Sequence, residues 1–311
     1  MNTLLHYNAG PALRTRLNAL PGLSLRVVAE GDDAALAAAL PDTDVLWHVL
    51  QPCTAEMIAA APRLRLIQKI GVGVNTIDLA AARARGIAVC NLPGTNSRAV
   101  AEMTLLLMLA VLRQLPNFDA GLRAGTWATP PTVQDRLGEL GGKTVGLVGF
   151  GAVPAILASI LTAMDCQVRY TARTPKPELP YEFCDLNTLL ANSDIISLHI
   201  PQTAETTLLI DAAALRRMKP GAILINTARG GLVDESALLQ ALASGHLAGA
   251  GLDVFEREPT PADNPLLMLD NVVVAPHVAW VTSGTFERSF AIAAENVRRL
   301  AVGIELLHLV A

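Results

Sequence analysis

Lys143-Thr144-Val145-Gly146-Leu147-Val148-Gly149-Phe150-Gly151-Ala152-Val153-Pro154 is the stretch on which the fold turns. An apolar run ends at Gly149-Phe150-Gly151, and helical character begins at about Ala152. This reads as a buried strand, a glycine turn and a helix start. Gly149 lets the chain turn tightly. Gly151 lets the backbone approach a pyrophosphate with no Cβ in the way, and the helix start offers unpaired N–H groups and a positive dipole end. Two glycines alone are a weak signal. Between a buried strand and an apolar helix they predict a dinucleotide-binding turn. Pro154 replaces the third glycine of that fingerprint. Its missing N–H has no intrahelical role in a first turn, so the expected phosphate donors are the N–H groups of Ala152 and Val153.

On either side of this stretch, short β-rich runs alternate with helical ones. Residues 4–7, 25–29, 45–49, 64–70 and 87–90 read as strands, separated by Ala-rich segments such as 33–40, 55–61 and 77–85. The second half repeats the habit with strands at 143–149, 167–171, 194–199, 222–226, 250–253 and 272–275. The alternation predicts βαβ units, hence an α/β chain with parallel sheets and helices on both faces. Near-continuous apolar strands suit burial on both faces. With 311 residues the length predicts about two domains. The clearest break is the turn-rich Asn91-Leu92-Pro93-Gly94-Thr95-Asn96, before a long helix from Ser97 or Arg98. Residues 124–140 read as irregular.

Composition narrows the function classes. Apolar residues make up 51% and charged residues 17% of the chain, against about 25% charged in ordinary domains. Such a chain can bury enough apolar surface to fold, which excludes a disordered tail. No window reaches the roughly 18 unbroken apolar residues of a membrane span, and residues 103–112 read as a buried helix. The N-terminus lacks the basic and apolar pattern of a secretory signal. A net charge of −4 without a basic cluster argues against a nucleic-acid partner. Cys53, Cys90, Cys166 and Cys184 show no CxxC spacing. They predict neither a disulfide framework nor a metal site, but buried thiols in a reducing cytoplasm.

The strand after the glycine turn bears on the cofactor. An NAD enzyme usually carries Asp or Glu there, about 20 residues on, for the ribose hydroxyls. The segment here is Val168-Arg169-Tyr170-Thr171-Ala172-Arg173-Thr174-Pro175-Lys176, without an acid. Arg173, Thr174 and Lys176 offer two cations and a hydroxyl, which suit a 2′-phosphate. The expectation is NADP(H) in preference to NAD(H), which stays possible.

Three further segments follow buried strands: Asn226-Thr227-Ala228-Arg229-Gly230-Gly231, Asp253-Val254-Phe255-Glu256-Arg257-Glu258-Pro259 and Ala275-Pro276-His277-Val278-Ala279-Trp280. Open α/β sheets bind ligands at these carboxyl ends. An Arg, a Glu and a His converging on one cleft suit hydride transfer at a 2-oxo or 2-hydroxy acid. Hydride addition to a ketone leaves an alkoxide that needs a proton, and His277 can donate it or, in reverse, take it. Glu258 would partner the imidazole, and Arg229 would bind the carboxylate and polarise the carbonyl. Each has a plainer reading alone: a core histidine, a surface turn, a salt-bridge arginine. Their order downstream of a dinucleotide turn favours the joint one. Oxidation of phosphite or formate on the same fold, and a non-catalytic nucleotide-sensing module, are the alternatives.

At this point the chain resembles the D-isomer-specific 2-hydroxyacid dehydrogenase family, nearest to its NADP-using glyoxylate/hydroxypyruvate reductases. The motifs that carry the resemblance run from about residue 66 to 296. They are Gly71-Val-Gly-Val-Asn-Thr-Ile-Asp78, Asn96-Ser-Arg-Ala-Val-Ala-Glu102, the Gly149 turn, Ile195-Ile-Ser-Leu-His-Ile-Pro201 and the three segments above. The resemblance implies two doubly wound parallel-sheet domains. Residues 98–285 would form a Rossmann nucleotide domain, and 1–97 with 286–311 a flavodoxin-like substrate domain. It implies the stated roles for Arg229, Glu258 and His277, and substrate contacts from the N–H groups of Val72 and Gly73. It places Thr104, Ala152, Val153, Arg173, Thr174, His199, Pro201, Thr206, Thr227, Ala228, Asp253 and Ala279 along the cofactor. It implies a homodimer joined through the nucleotide domain, which the helix from Arg98 and Gly125-Thr126-Trp127 fit. Asn75 departs from the family's usual Asp. Trp47-His48-Val49-Leu50-Gln51-Pro52 is expected to face the substrate side chain through Val49 and Leu50, with His48 structural.

Overall fold

A computed structural model describes residues 1–311. The chain divides into two compact units, Met1–Asn96 with Val281–Ala311, and Ser97–Trp280. The first unit opens with β1 (Asn2–His6), α1 (Pro11–Asn18), β2 (Ser24–Val28), α2 (Asp33–Ala39) and β3 (Val45–His48). It continues with α3 (Ala55–Ala59), β4 (Leu66–Lys69), α4 (Leu79–Ala84) and β5 (Ala88–Cys90). The second unit begins with three helices, α5 (Ser97–Arg113), α6 (Leu115–Arg123) and α7 (Pro131–Gln134). Then come β6 (Thr144–Val148), α8 (Ala152–Ala163), β7 (Gln167–Thr171), β8 (Glu182–Phe183), α9 (Leu186–Asn192) and β9 (Ile195–Leu198). It closes with α10 (Ala212–Arg217), β10 (Ala222–Asn226), α11 (Glu235–Ala243), β11 (Leu247–Leu252) and β12 (Val272–Val274). Helix α12 (Ser283–Val302) belongs to the first unit again.

All strand pairs in both sheets are parallel. The first sheet has the order β2-β1-β3-β4-β5 and the second β12-β11-β10-β9-β6-β7-β8. The former is the flavodoxin-like order. The latter is the Rossmann order with one strand added, and its direction of winding reverses between β6 and β9. Both faces of the second sheet are covered. Leu198, Leu224 and Leu238 pack on one side, and Leu107, Met108, Leu147, Leu157, Tyr170 and Ile225 on the other. This double burial explains the unbroken apolar runs of β9 and β10. Leu4, Leu46, Ile58, Ile67 and Val89 form the core of the first unit. Side chains of Asp32, Thr54, Asp78, Asp185, Asp211, Asp234 and Thr282 cap the helices that follow them, satisfying N–H groups that the helices leave unpaired.

Some details depart from the sequence reading. The last-but-one strand begins at Leu247, three residues before position 250. Strand β8 is two exposed residues paired to β7, too short to leave a periodic signal. The stretch 124–140 contains the one-turn helix α7. Helix α5 stops at Arg113 because Pro116 cannot donate to the carbonyl of Leu112. That carbonyl accepts instead from Gly138 N–H at 2.9 Å. Gln114 turns left-handed, φ 49°, and α6 leaves at 64°. No single helix is long and apolar enough to cross a membrane. The four cysteines are free and buried. Burial pushes the Cys53 thiol up to about 12 and the Cys90 thiol up to about 11, so both stay protonated and unreactive near neutrality.

The returning helix is fixed to its own unit by a buried amide. Asn296 donates from Nδ2 to Gln68 Oε1 at 2.7 Å and to Leu307 O at 3.0 Å, and its Oδ1 accepts from Leu307 N–H at 2.8 Å. Asn296→Leu keeps the volume but strands these buried partners. The variant is expected to lose about 2–4 kcal/mol of stability, read as a lower urea midpoint with an unchanged slope.

Candidate active site

The glycine turn follows β6 and lies at the point where the second sheet reverses direction. Gly149 has φ +95°, and a Cβ there would lie 2.8 Å from His199 O and 2.7 Å from Ile200 Cγ2. Its N–H donates to Thr171 O at 2.9 Å. The strand exits of β6, β7 and β9 thus close on one another only through a residue without a side chain. Gly151 differs, since a Cβ there would meet nothing within 4 Å. Nothing inside the chain requires a glycine at this position. Gly151 caps α8 without a side-chain hydrogen bond, and the first helical bond runs from Ala155 N–H to Gly151 O at 3.1 Å. The N–H groups of Ala152 and Val153 therefore precede that bond, and Pro154, buried against the core, forfeits no helical bond.

Beyond β7, Arg173 and Thr174 are exposed and Lys176 is half-buried. The loop is pinned from below by Tyr170. Its phenol accepts from Lys176 N–H at 2.8 Å and donates to Lys176 O at 3.1 Å. No carboxylate occurs between Thr171 and Pro177. A glycine turn with free N–H groups fits the pyrophosphate of a dinucleotide.

The three polar segments after β10, β11 and β12 come together. His277 Nδ1 lies 2.7 Å from Glu258 Oε2. Glu258 Oε1 accepts from Phe255 N–H at 3.0 Å. Burial would raise the Glu258 carboxyl, but the hydrogen bond and charge of His277, the Phe255 N–H and the charge of Arg229 outweigh it and hold it below its ordinary value. Burial lowers the Arg229 guanidinium, and the Glu258 charge opposes that shift. Arg229 forms no ion pair at contact distance; its Nη1 donates to Ala228 O at 2.6 Å. His277 adopts φ 55°, a left-handed conformation rare for a side chain of its size and common at functional sites. Asp253 enforces it. Its carbonyl accepts from His277 N–H at 2.7 Å, and its carboxylate accepts from Val278 N–H at 2.8 Å and Ala279 N–H at 2.9 Å. Burial raises the Asp253 carboxyl against the pull of those two N–H groups.

Comparisons with known proteins establish the family. Residues 105–279 match the NAD-binding domain of the D-isomer specific 2-hydroxyacid dehydrogenases. A glyoxylate reductase of Thermofilum pendens is 42% identical over 303 residues, covering 91% of this chain and 89% of that protein. The chain belongs to the D-isomer specific 2-hydroxyacid dehydrogenase family. A D-3-phosphoglycerate dehydrogenase of Mycobacterium tuberculosis is 41% identical over 286 residues, covering 90% of this chain and 53% of that protein. The chain thus spans about half the length of these mycobacterial relatives. The crystal structure of TT0316 protein from Thermus thermophilus matches at a TM-score of 0.91 with 40% identity and full coverage of both chains.

Other positions expected to matter in this 2-hydroxyacid dehydrogenase fold are placed as follows. Thr104, in α5, is fully buried; its hydroxyl lies 2.7 Å from Val100 O and 2.9 Å from Thr227 Oγ1. It therefore reaches the Arg229 loop through Thr227. His199 follows β9, with Nε2 2.9 Å from Ser197 Oγ. Thr206 spends its hydroxyl within its own turn, on Pro201 O at 2.8 Å and Thr203 N–H at 2.7 Å. Ala228 is half-buried, and Ala279 is buried beside Asp253. In the first unit, Leu50 is half-buried after β3, while Val72 is exposed and Gly73 half-buried after β4. His48 is buried, with Nε2 2.6 Å from Gln51 O, and Lys69 donates to Val49 O. Sequence reading gave no role to Asn226, Gly230, Glu235 or Lys69. Glu235 accepts from Glu256 N–H at 2.5 Å and from Asn264 Nδ2 at 3.2 Å, steadying the loop that carries Glu258.

Two glycine substitutions should separate fold from ligand. Gly149→Ala introduces backbone strain and a clash, and is expected to cost at least about 1 kcal/mol of stability. Gly151→Ala should stay within about 1 kcal/mol of the parent yet weaken NADPH binding severalfold. Thermal melts and fluorescence titration with NADPH check the pair.

Proposed function

We propose that this chain transfers a hydride between NADP(H) and a small 2-oxo or D-2-hydroxy acid. The observation that carries the reading is the 2.7 Å pairing of His277 with Glu258, beside an Arg229 that holds no counter-ion at contact distance. Gly149, Gly151 and the N–H groups of Ala152 and Val153 would hold the pyrophosphate, and Arg173, Thr174 and Lys176 the 2′-phosphate. When bound, the nicotinamide supplies or takes up the hydride. Arg229 binds the substrate carboxylate and draws electron density from the adjacent carbonyl. Glu258 holds His277 through Nδ1, which leaves Nε2 as the nitrogen that gives a proton to the forming alkoxide oxygen. In the oxidative direction Nε2 takes the hydroxyl proton. The N–H groups of Val72 and Gly73 and the side chain of Leu50 are assigned to the substrate.

Formate oxidation gives CO2 by loss of hydride alone and needs no proton transfer at oxygen. It would leave the His277–Glu258 pair without a task, which favours the oxo-acid reading. A homodimer is inferred through the second unit. Trp127 is 89% exposed there, and Leu106, Leu115 and Leu122 are each more than half exposed. The buried free thiols suit a reducing, cytoplasmic setting.

Two measurements test this reading. His277→Ala should lower kcat for glyoxylate or hydroxypyruvate reduction by about 10²–10⁴-fold while the Kd for NADPH moves less than about twofold; undiminished turnover in the variant would remove His277 from the mechanism. Arg173→Ala combined with Lys176→Ala should weaken NADPH at least about tenfold, on the order of 1.4 kcal/mol, and leave NADH nearly unchanged. Tighter binding of NADH than NADPH by the parent protein would overturn the cofactor assignment.

A further inference from the structure

Asn226 is the last residue of β10 and is 1% exposed, so it lies out of reach of a substrate. Its side chain nevertheless acts on both neighbours that matter. Oδ1 accepts from Ala228 N–H at 3.0 Å, and Nδ2 donates to Arg229 O at 2.9 Å. The circuit is closed from the other end, because Arg229 Nη1 donates to Ala228 O at 2.6 Å. Three hydrogen bonds thus join Asn226, Ala228 and Arg229, and the guanidinium is their outer end. The circuit commits Nη1 to a backbone carbonyl. In the 3₁₀ turn that follows, Gly230 is buried and packs directly on the loop after β11, since a Cβ there would lie 1.9 Å from the Phe255 carbonyl carbon.

We infer that Asn226 is the positioning residue that aims Arg229, setting the fork that receives the substrate carboxylate. An amide is required for this task. It must accept from one N–H and donate to one carbonyl, and a bidentate cation–carboxylate contact tolerates little misalignment. Asn226→Asp retains the acceptor but sets a carboxylate against the Arg229 carbonyl. Asn226→Ala removes both bonds.

The inference rests on the carboxylate-binding role proposed above for Arg229, and a double-mutant cycle separates the two. Kinetics of glyoxylate or pyruvate reduction are measured for Asn226→Ala, Asn226→Asp, Arg229→Ala and Arg229→Ala with Asn226→Ala. Oxamate inhibition and NADPH titration accompany each. Both Asn226 variants are expected to raise the KM for the oxo acid and the Ki for oxamate about tenfold, with NADPH affinity within about twofold of the parent. The double variant is expected to be no worse than Arg229→Ala, because the amide acts through the guanidinium that has been removed. Full additivity of the two losses, or Asn226 variants that weaken NADPH as much as oxamate, overturns the inference and leaves the role of Arg229 standing. An Arg229→Ala variant with unchanged KM and oxamate Ki overturns the proposed function of that residue, and the inference with it. Circular dichroism and a thermal melt identify any variant that fails to fold. Asn226→Asp, isosteric with the parent, then serves as the second arm of the cycle.

Discussion

The backbone of Phe255 and Glu256 occupies the space where a side chain on Gly230 would begin. A Cβ there would come within 1.9 Å of the Phe255 carbonyl carbon and oxygen. This contact is the constraint on which the centre depends. It lets the loop after β10 lie directly on the loop after β11, so that Arg229 is close enough to Glu258 for each to shift the other's protonation equilibrium. The third loop is attached by Asp253, which binds three consecutive N–H groups from His277 to Ala279. Three strand ends are thereby joined through backbone contacts and buried polar groups, which carry Arg229, Glu258 and His277. A parallel sheet makes this economical, since all its strands finish on the same edge.

Much of this was legible before any coordinates. The alternation of apolar runs and helices foretold the α/β class because parallel strands buried on both faces leave unbroken apolar stretches. The turn at Gly149 stood out because two physical demands, a positive φ and a close approach, fall on glycines at defined spacing. Arg229, Glu258 and His277 stood out because each follows an apolar run that reads as a strand, although the last of these, β12, is only partly buried. What stayed hidden depended on contacts between distant segments. Nothing local marks the Cβ-free space above Gly230 as necessary, and Asp253 looks like any acid after a strand. Lys69 was given no role, yet it is 5% exposed with its ammonium on Val49 O. Strand β8 is stabilised by pairing to β7, and two exposed residues carry no periodicity.

The loop after β7 shows how a buried residue can govern an exposed segment. Tyr170 is 1% exposed and packs against Phe150, with ring centroids 4.9 Å apart. Its phenol nevertheless holds both backbone groups of Lys176. The chain between them must therefore arch outward with Arg173 and Thr174 at its crest. A loop closed by a rigid aromatic has less backbone freedom than an open one.

The electrostatics of Arg229 distinguish a binding site from a structural ion pair. A half-buried guanidinium usually finds a carboxylate, because an unpaired charge loses hydration without compensation. Here the nearest acid, Glu258, gives both oxygens elsewhere, one to His277 and one to Phe255 N–H. The neutral carbonyl of Ala228 takes one nitrogen of the fork. Positive charge is thus only partly compensated at the carboxyl edge of the sheet; burial lowers the guanidinium's proton affinity, and the Glu258 charge opposes that shift without a direct contact. An arrangement that costs folding energy in isolation becomes favourable when an anion supplies the missing partner. The same carboxylate would then bring its neighbouring carbonyl to His277, whose orientation Glu258 has already settled. In the function proposed for this chain, binding and proton transfer would be coupled through Glu258, which pairs with His277 and not with the arginine beside it.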